Sequence, residues 1–204
     1  MRIGIQAKVA LLLATVAVFT ALAAAQTAPA TPTGDQPLRA ELALDYTYLR
    51  ANAPPGGCSC INLNGGSATF AWPWKPGGEF ALVGDITAAH AGGISTSGYG
   101  LTLSSYTVGG RYLPRLGHSS LQPFGQVLVG LAHSSGTLVE GTNPATGNAG
   151  AAFAANLGGG LDLRANQCFS VRLVEADYLI TTIDNGTNNH QNILRISTGV
   201  VVHF

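Results

Sequence analysis

In the stretch "HSSGTLVE", His133, Ser135 and Glu140 fall close together. A serine hydrolase needs a base beside its nucleophile and a third group to orient that base. His133 and Ser135 share one face at a strand end, but Glu140 belongs to a loop with nothing to fix it, so the trio reads as a solvated loop base. Cys58 and Cys60 flank one serine in "PPGGCSCINLN" and supply two soft ligands, where a closed zinc site needs about four. His90, His118 and His190 belong to separate connections and do not complete such a site. The pair therefore reads as a strained loop disulfide or a mixed thiol state. Cys168 is left as a single buried or turn cysteine. No cofactor, metal or catalytic residue is expected.

The remaining chemistry is ionic, and it depends on which face of which strand each charge occupies. Only 10% of the 204 residues are charged, well below the norm for soluble domains, while glycine occurs 27 times. After residue 25 no apolar run approaches the length of a transmembrane helix. The formal net charge is zero, and without Arg2 and Lys8 the remainder carries 8 basic against 10 acidic residues. No basic stripe follows a phosphate backbone, which argues against nucleic acid as a partner. Three cysteines at such spacing do not form a disulfide framework.

The first 25 residues read as a signal peptide: a basic start in "MRIGIQAK", an apolar "VALLLATVAVFTAL", and Ala23 and Ala25 before the expected cleavage. Residues 26–36, rich in Pro and Thr, read as a disordered periplasmic lead-in. From residue 37 to 204 the chain divides into eight segments of strand length. They are "LRAELALDYTYLR", "NGGSATFAWPW", "EFALVGDITAAHA", "GYGLTLSSYTVGGRYL", "SLQPFGQVLVGLAHS", "GAAFAANLGGGLDLR", "FSVRLVEADYLITT" and "NILRISTGVVVHF". Short links alternate with mostly longer, polar ones such as "ANAPPGGCSCINL" and "SGTLVEGTNPATGNA". That alternation suits an antiparallel up-and-down transmembrane β-barrel, with both termini at the periplasmic, short-turn side.

Within the segments, apolar residues recur at every second position. Leu42, Leu44, Tyr46 and Tyr48 oppose Glu41, Ala43, Asp45 and Thr47, and Leu157, Leu161 and Leu163 oppose Asn156, Asp162 and Arg164. The polar faces are small and sparsely charged, and aromatics such as Tyr46, Tyr48, Tyr112 and Phe204 stand on the apolar ones, which places lipid outside. Two segments break the pattern. Arg172 and Glu175 cannot share a face without a β-bulge near Leu173 or Val174. Apolar parity also changes between Leu103 and Tyr106, which implies either another bulge or a strand that rises above the membrane. Parity then gathers Arg39, Arg111, Arg164, Arg172 and Arg195 in the lumen with Glu41, Asp45, Asp85, Asp162, Glu175 and Asp177. Counted from the turn-side rim, Arg195 falls between Asp45 and Asp177 or Glu175, closing the pore at mid-height.

The leader, the eight-strand meander, "GGGLDLR", "RLVEADYL" and the closing "LRISTGVVVHF" together resemble the small outer-membrane β-barrel proteins of the OmpA/OmpX type, without a peptidoglycan-binding domain. The resemblance covers nearly everything after residue 37. It implies an outer-membrane location with lipid and lipopolysaccharide as surroundings. It also implies that Phe204, Val202 and Val200 form the signal read by the barrel-assembly machinery. The function it implies is a structural or narrow-pore barrel working through external loops and lumen; the alternatives are a lipid A-modifying hydrolase or a surface adhesin acting through "TNPATGNAG" and "DNGTNNH".

Overall fold

The computed structural model describes residues 39–51, 60–76, 78–92, 100–116, 119–136, 151–183 and 189–204. The leader and lead-in, Cys58, His118, Glu140, "TNPATGNAG" and most of "DNGTNNH" lie outside the described residues. Eight strands run in chain order: β1 (Glu41–Ala51), β2 (Ile61–Pro73), β3 (Phe80–Ala91), β4 (Leu101–Tyr112), β5 (Leu121–Gly136), β6 (Ala151–Arg164), β7 (Phe169–Thr181) and β8 (Gln191–His203). Each pairs antiparallel with its neighbour, and β8 pairs with β1 to close the barrel. The second strand starts at Ile61 rather than at the expected Asn64. Closure continues one residue past β8, where the Phe204 N–H donates to the Ala40 carbonyl at 2.9 Å.

Alternation decides which way each side chain faces. On β1, Glu41, Ala43, Asp45, Thr47 and Leu49 are buried in the lumen, while Leu44 and Tyr46 are exposed. The same sense holds around the wall, so that Ile86, Val127, Leu157, Ile196 and Val200 all stand outside. Aromatics mark the turn-side rim of this apolar belt: Trp72, Trp74, Phe80, Tyr112, Phe169 and Phe204 are exposed, with Phe80 and Tyr112 ring centroids 5.1 Å apart.

Stagger sets the levels. The partners Glu41, Ala71, Val83, Gly109, Leu128, Asn156, Leu179 and Ile193 lead once round the wall and back to Ala51, ten residues along β1 from the start. Eight strands with a shear of ten must tilt steeply, and each step to the next strand climbs slightly more than one residue. Corrected for that climb, the outward apolar belt has a nearly uniform upper edge at Ala88, Tyr106, Leu131, Ile180 and Leu194. Ten or so tilted residues of strand then cover about 25 Å, the height of a lipid-facing band.

Above that edge the polarity of the wall reverses. The outward positions become Asn64, His90, Ser104, His133 and Asn192, whereas the inward ones become Leu49, Leu63, Leu103, Leu179 and Ile193, packed in one apolar cluster. This explains the change of parity in β4. The strand alternates without a bulge, Leu101 and Leu103 facing in and Tyr106 and Val108 facing out. What changes is the environment it passes through.

In β7 the register shifts between Arg172 and Glu175, and both Leu173 and Val174 face outward. Deleting Val174 should restore strict alternation while leaving Arg172 and Glu175 in the lumen. Deleting Ala176 instead forces either Glu175 or Asp177 onto the apolar face, a destabilising placement though a smaller one than the about 2–4 kcal/mol of a lipid-facing Arg or Lys. We expect the Val174 deletion to keep a faster-migrating unboiled band on electrophoresis and the Ala176 deletion to lose most of it. Equal loss in both would mean that the bulge itself, and not the phase it sets, is required.

Candidate functional site in the barrel lumen

Three arginines organise the charged part of the lumen. Arg195 on β8 donates through Nη1 to Asp85 Oδ1 at 2.8 Å and Thr87 Oγ1 at 2.7 Å, and through Nη2 to Glu175 Oε1 and Asp177 Oδ2, each at 2.5 Å. Arg172 on β7 donates to Asp162 Oδ1 at 3.0 Å, to Asp45 Oδ2 at 3.1 Å and to Glu175 Oε2 at 2.7 Å. Glu175 therefore joins the two arginines. Arg111 on β4 takes a different partner, donating to Gln126 Oε1 at 3.0 and 2.7 Å, with Glu41 3.8 Å away. The amide of Gln126 donates in turn to Glu175 Oε1 at 3.1 Å, so a neutral side chain ties the third arginine to the others. All three guanidinium groups are at most 1% exposed.

Phe124 sits between two of these cations, its ring 4.2 Å from the Arg111 guanidinium carbon and 4.7 Å from that of Arg172. A ring face attracts cations and costs no hydrogen-bond acceptor. It also belongs to a smaller apolar cluster with Ala71, Val83, Leu113 and Leu128. At the turn-side mouth, Ser170 Oγ lies 2.7 Å from His203 Nε2, and His203 Nδ1 lies 3.4 Å from Glu41 Oε1. Glycines leave the room these groups need. A side chain at Gly158 would overlap the Asp177 carboxylate, and one at Gly199 the carboxylate of Asp45.

The remaining residues singled out from the sequence fall in different places. Arg39 precedes β1 and is exposed, so it does not enter the lumen. Arg164 is half-buried and donates to Gln122 at 3.0 Å, and it meets no carboxylate among the described residues. Arg195 does not reach Asp45, whose partner is Arg172. The shear separates them: Asp45 pairs in register with Gly199, and Arg195 with Leu49. The mid-height closure has a second component, the apolar cluster around Leu49, Leu63 and Leu103 nearer the loops. His133 is half-buried and Ser135 exposed, on one outward face. His90 bonds Thr102 at 2.9 Å, His190 is exposed, and Cys60 and Cys168 are exposed at opposite ends of the barrel. Among the described residues no group of three or more His, Cys, Asp or Glu is placed to hold a metal ion. Val200 and Phe204 face outward and Val202 is half-buried. Sequence parity alone had no means of finding Gln126, Phe124 or the Ser170–His203 pair, since uncharged residues on a polar face carry no mark of what they touch.

No protein-family model and no curated protein matches the chain. Among solved structures, Neisserial surface protein A is similar with a TM-score of 0.59 at 14% identity, covering 81% of this chain and 97% of that one. Ail, the attachment invasion locus protein of Yersinia pestis, gives a TM-score of 0.55 at 12% identity, covering 82% of this chain and 99% of that one. At these identities the likeness is one of fold. The barrel is that of the small eight-stranded outer-membrane proteins.

A buried guanidinium with three carboxylates around it is costly to remove. Arg195→Ala should destabilise the barrel by about 3–5 kcal/mol, the cost of stripping a buried charge of its partner. Arg164→Ala should cost about 1 kcal/mol, the worth of one hydrogen bond. Adding Asp177→Asn and Asp85→Asn to Arg195→Ala should recover part of the loss. Urea unfolding in lipid vesicles measures all three. A small effect of Arg195→Ala, comparable to that of Arg164→Ala, would show that the lumen is wet and its charges screened.

Proposed function

We propose that this chain is an integral outer-membrane barrel, closed along its axis, whose working surfaces are its outer wall and the loops it holds above the membrane. One observation carries the reading. For about 25 Å of height the wall is apolar outside and ionic inside, and above that height it is polar outside and apolar inside. A barrel made for water would have no reason to change sense partway up. Export through a cleaved leader, with both termini on the periplasmic side, belongs to the same proposal. Val200, Val202 and Phe204, on the lipid side of the strand that closes against β1, are within it the stretch offered to the assembly machinery.

Two layers in series close the barrel. The ion-pair network fills the membrane-level lumen, and the cluster of Leu49, Leu63, Leu103, Leu179 and Ile193 fills the section above it. An apolar constriction excludes ions by excluding their water. The first layer can therefore fail without opening the second. This favours a closed scaffold over the narrow-pore reading.

Two measurements test the proposal. The unboiled protein should run ahead of the boiled one on gels, as a closed barrel does, and wild type in planar bilayers should show no steady conductance. Arg195→Ala should remain silent despite its lost stability, whereas adding Leu63→Ser and Leu103→Ser should produce discrete openings. Steady conductance in Arg195→Ala alone would make the ionic layer the only seal. Conductance in wild type would restore the pore.

A further inference from the structure

The outer wall is thin along β2, near the loop-side edge of the belt. Along β2 the outward residues Ala68 and Gly66 are small, opposite Leu44 and Tyr46 on β1 and Ile86 and Ala88 on β3. Tyr46 leans toward the loop end to donate to Asn64 Oδ1 at 2.6 Å, which leaves Gly66 uncovered. The result is a shallow, open groove lined by Leu44, Gly66, Ala68, Ile86 and Ala88, with Asp45 and Ser67 beneath it. It lies in the upper half of the apolar belt and runs up to the belt's edge. At that depth its surroundings are hydrocarbon.

Directly above, the wall becomes a set of hydrogen-bond donors. Tyr48 donates to Asn62 Oδ1 at 2.8 Å, as Tyr46 does to Asn64. Each asparagine thus commits its carbonyl oxygen to a tyrosine and presents its amide N–H groups. Arg50, exposed and paired in register with Asn62, adds a guanidinium. Apart from histidines it is the one charged side chain on the outer wall near the belt's loop-side edge, among the described residues. Two amide NH₂ groups and a guanidinium, all donors, suit an anion with several oxygens, and a phosphate fits best.

We propose that this face binds one phosphate-bearing acyl lipid of the loop-side leaflet, a chain lying over Gly66 and Ala68 and the phosphate resting on Arg50, Asn62 and Asn64. The inference rests on the reading of the chain as a membrane barrel. The surroundings supply the acyl part, and the donor cluster supplies the selectivity.

Native mass spectrometry of the folded protein released from detergent tests it, with dimyristoyl phosphatidic acid and dimyristoylglycerol as probes of equal chain and different headgroup. We expect one phosphatidic acid retained per barrel in preference to the diacylglycerol. Arg50→Ala should weaken that retention about tenfold, in line with loss of a charged hydrogen bond. Ala68→Leu with Ala88→Leu fills the groove and should weaken both lipids alike. Each variant is first checked for the faster unboiled band and for insertion into vesicles, so a failed barrel is distinguished from a failed site. With those intact, equal retention of the two lipids, or retention unchanged in Arg50→Ala, overturns the proposal. So does a groove-filling variant that leaves lipid bound and instead converts a dimer to a monomer, since the face would then meet a second copy.

Discussion

Burying ionised groups is expensive, and among the described residues this barrel buries three guanidinium groups and six carboxylates in one narrow lumen. Each must find partners, because an unpaired buried charge costs several kcal/mol. The partners are far apart in the chain. Arg172 on β7 reaches Asp45 on β1, and Arg195 on β8 reaches Asp85 on β3, across strands that meet only when the sheet closes. The network therefore has no half-formed version with satisfied charges. Hydrophobic matching to lipid would accept many registers, but only one shear brings these particular groups into reach.

Several local features follow from that demand. The bulge at Leu173 and Val174 is the device by which one strand turns both Arg172 and Glu175 inward, three residues apart. Gly158 and Gly199 are small because carboxylates lie where their side chains would be. Gln126 and Phe124 extend the network without adding charge, one by accepting from Arg111 and the other by offering a ring face to two cations. A second carboxylate near Arg111 would have increased an excess of negative charge that the lumen already carries.

Much of this was legible in the sequence, and the reason is geometric. Alternation is local, so the two faces of β1, β6 and β8 could be assigned from a dozen residues each, and a clash of parity such as Arg172 with Glu175 reveals a bulge without knowledge of the neighbours. Pairing is not local. Whether Asp45 meets Arg195 or Arg172 depends on the shear, which no single strand encodes, because β1 and β8 are staggered and distance from the rim does not give their relative level. Neutral residues were invisible for a related reason: Gln126 looks like any polar lumen residue until its partners on β4 and β7 are known.

The change of sense along the wall follows from lengths. Strands of eleven to sixteen residues, steeply tilted, exceed the hydrocarbon layer they cross. The excess stands in water, where the economical arrangement is the ordinary one, with leucines inside and asparagines outside. A strand crossing that boundary must exchange the characters of its two faces without exchanging the faces themselves. In β4 this happens between Leu103, which faces in, and Tyr106, which faces out. A single hydrophobic period fitted across the whole strand averages the two regimes and reports an irregularity. The irregularity marks the membrane edge. The same edge sets where Tyr46 and Tyr48 can engage Asn64 and Asn62, since a tyrosine hydroxyl needs a polar partner as its ring leaves the lipid.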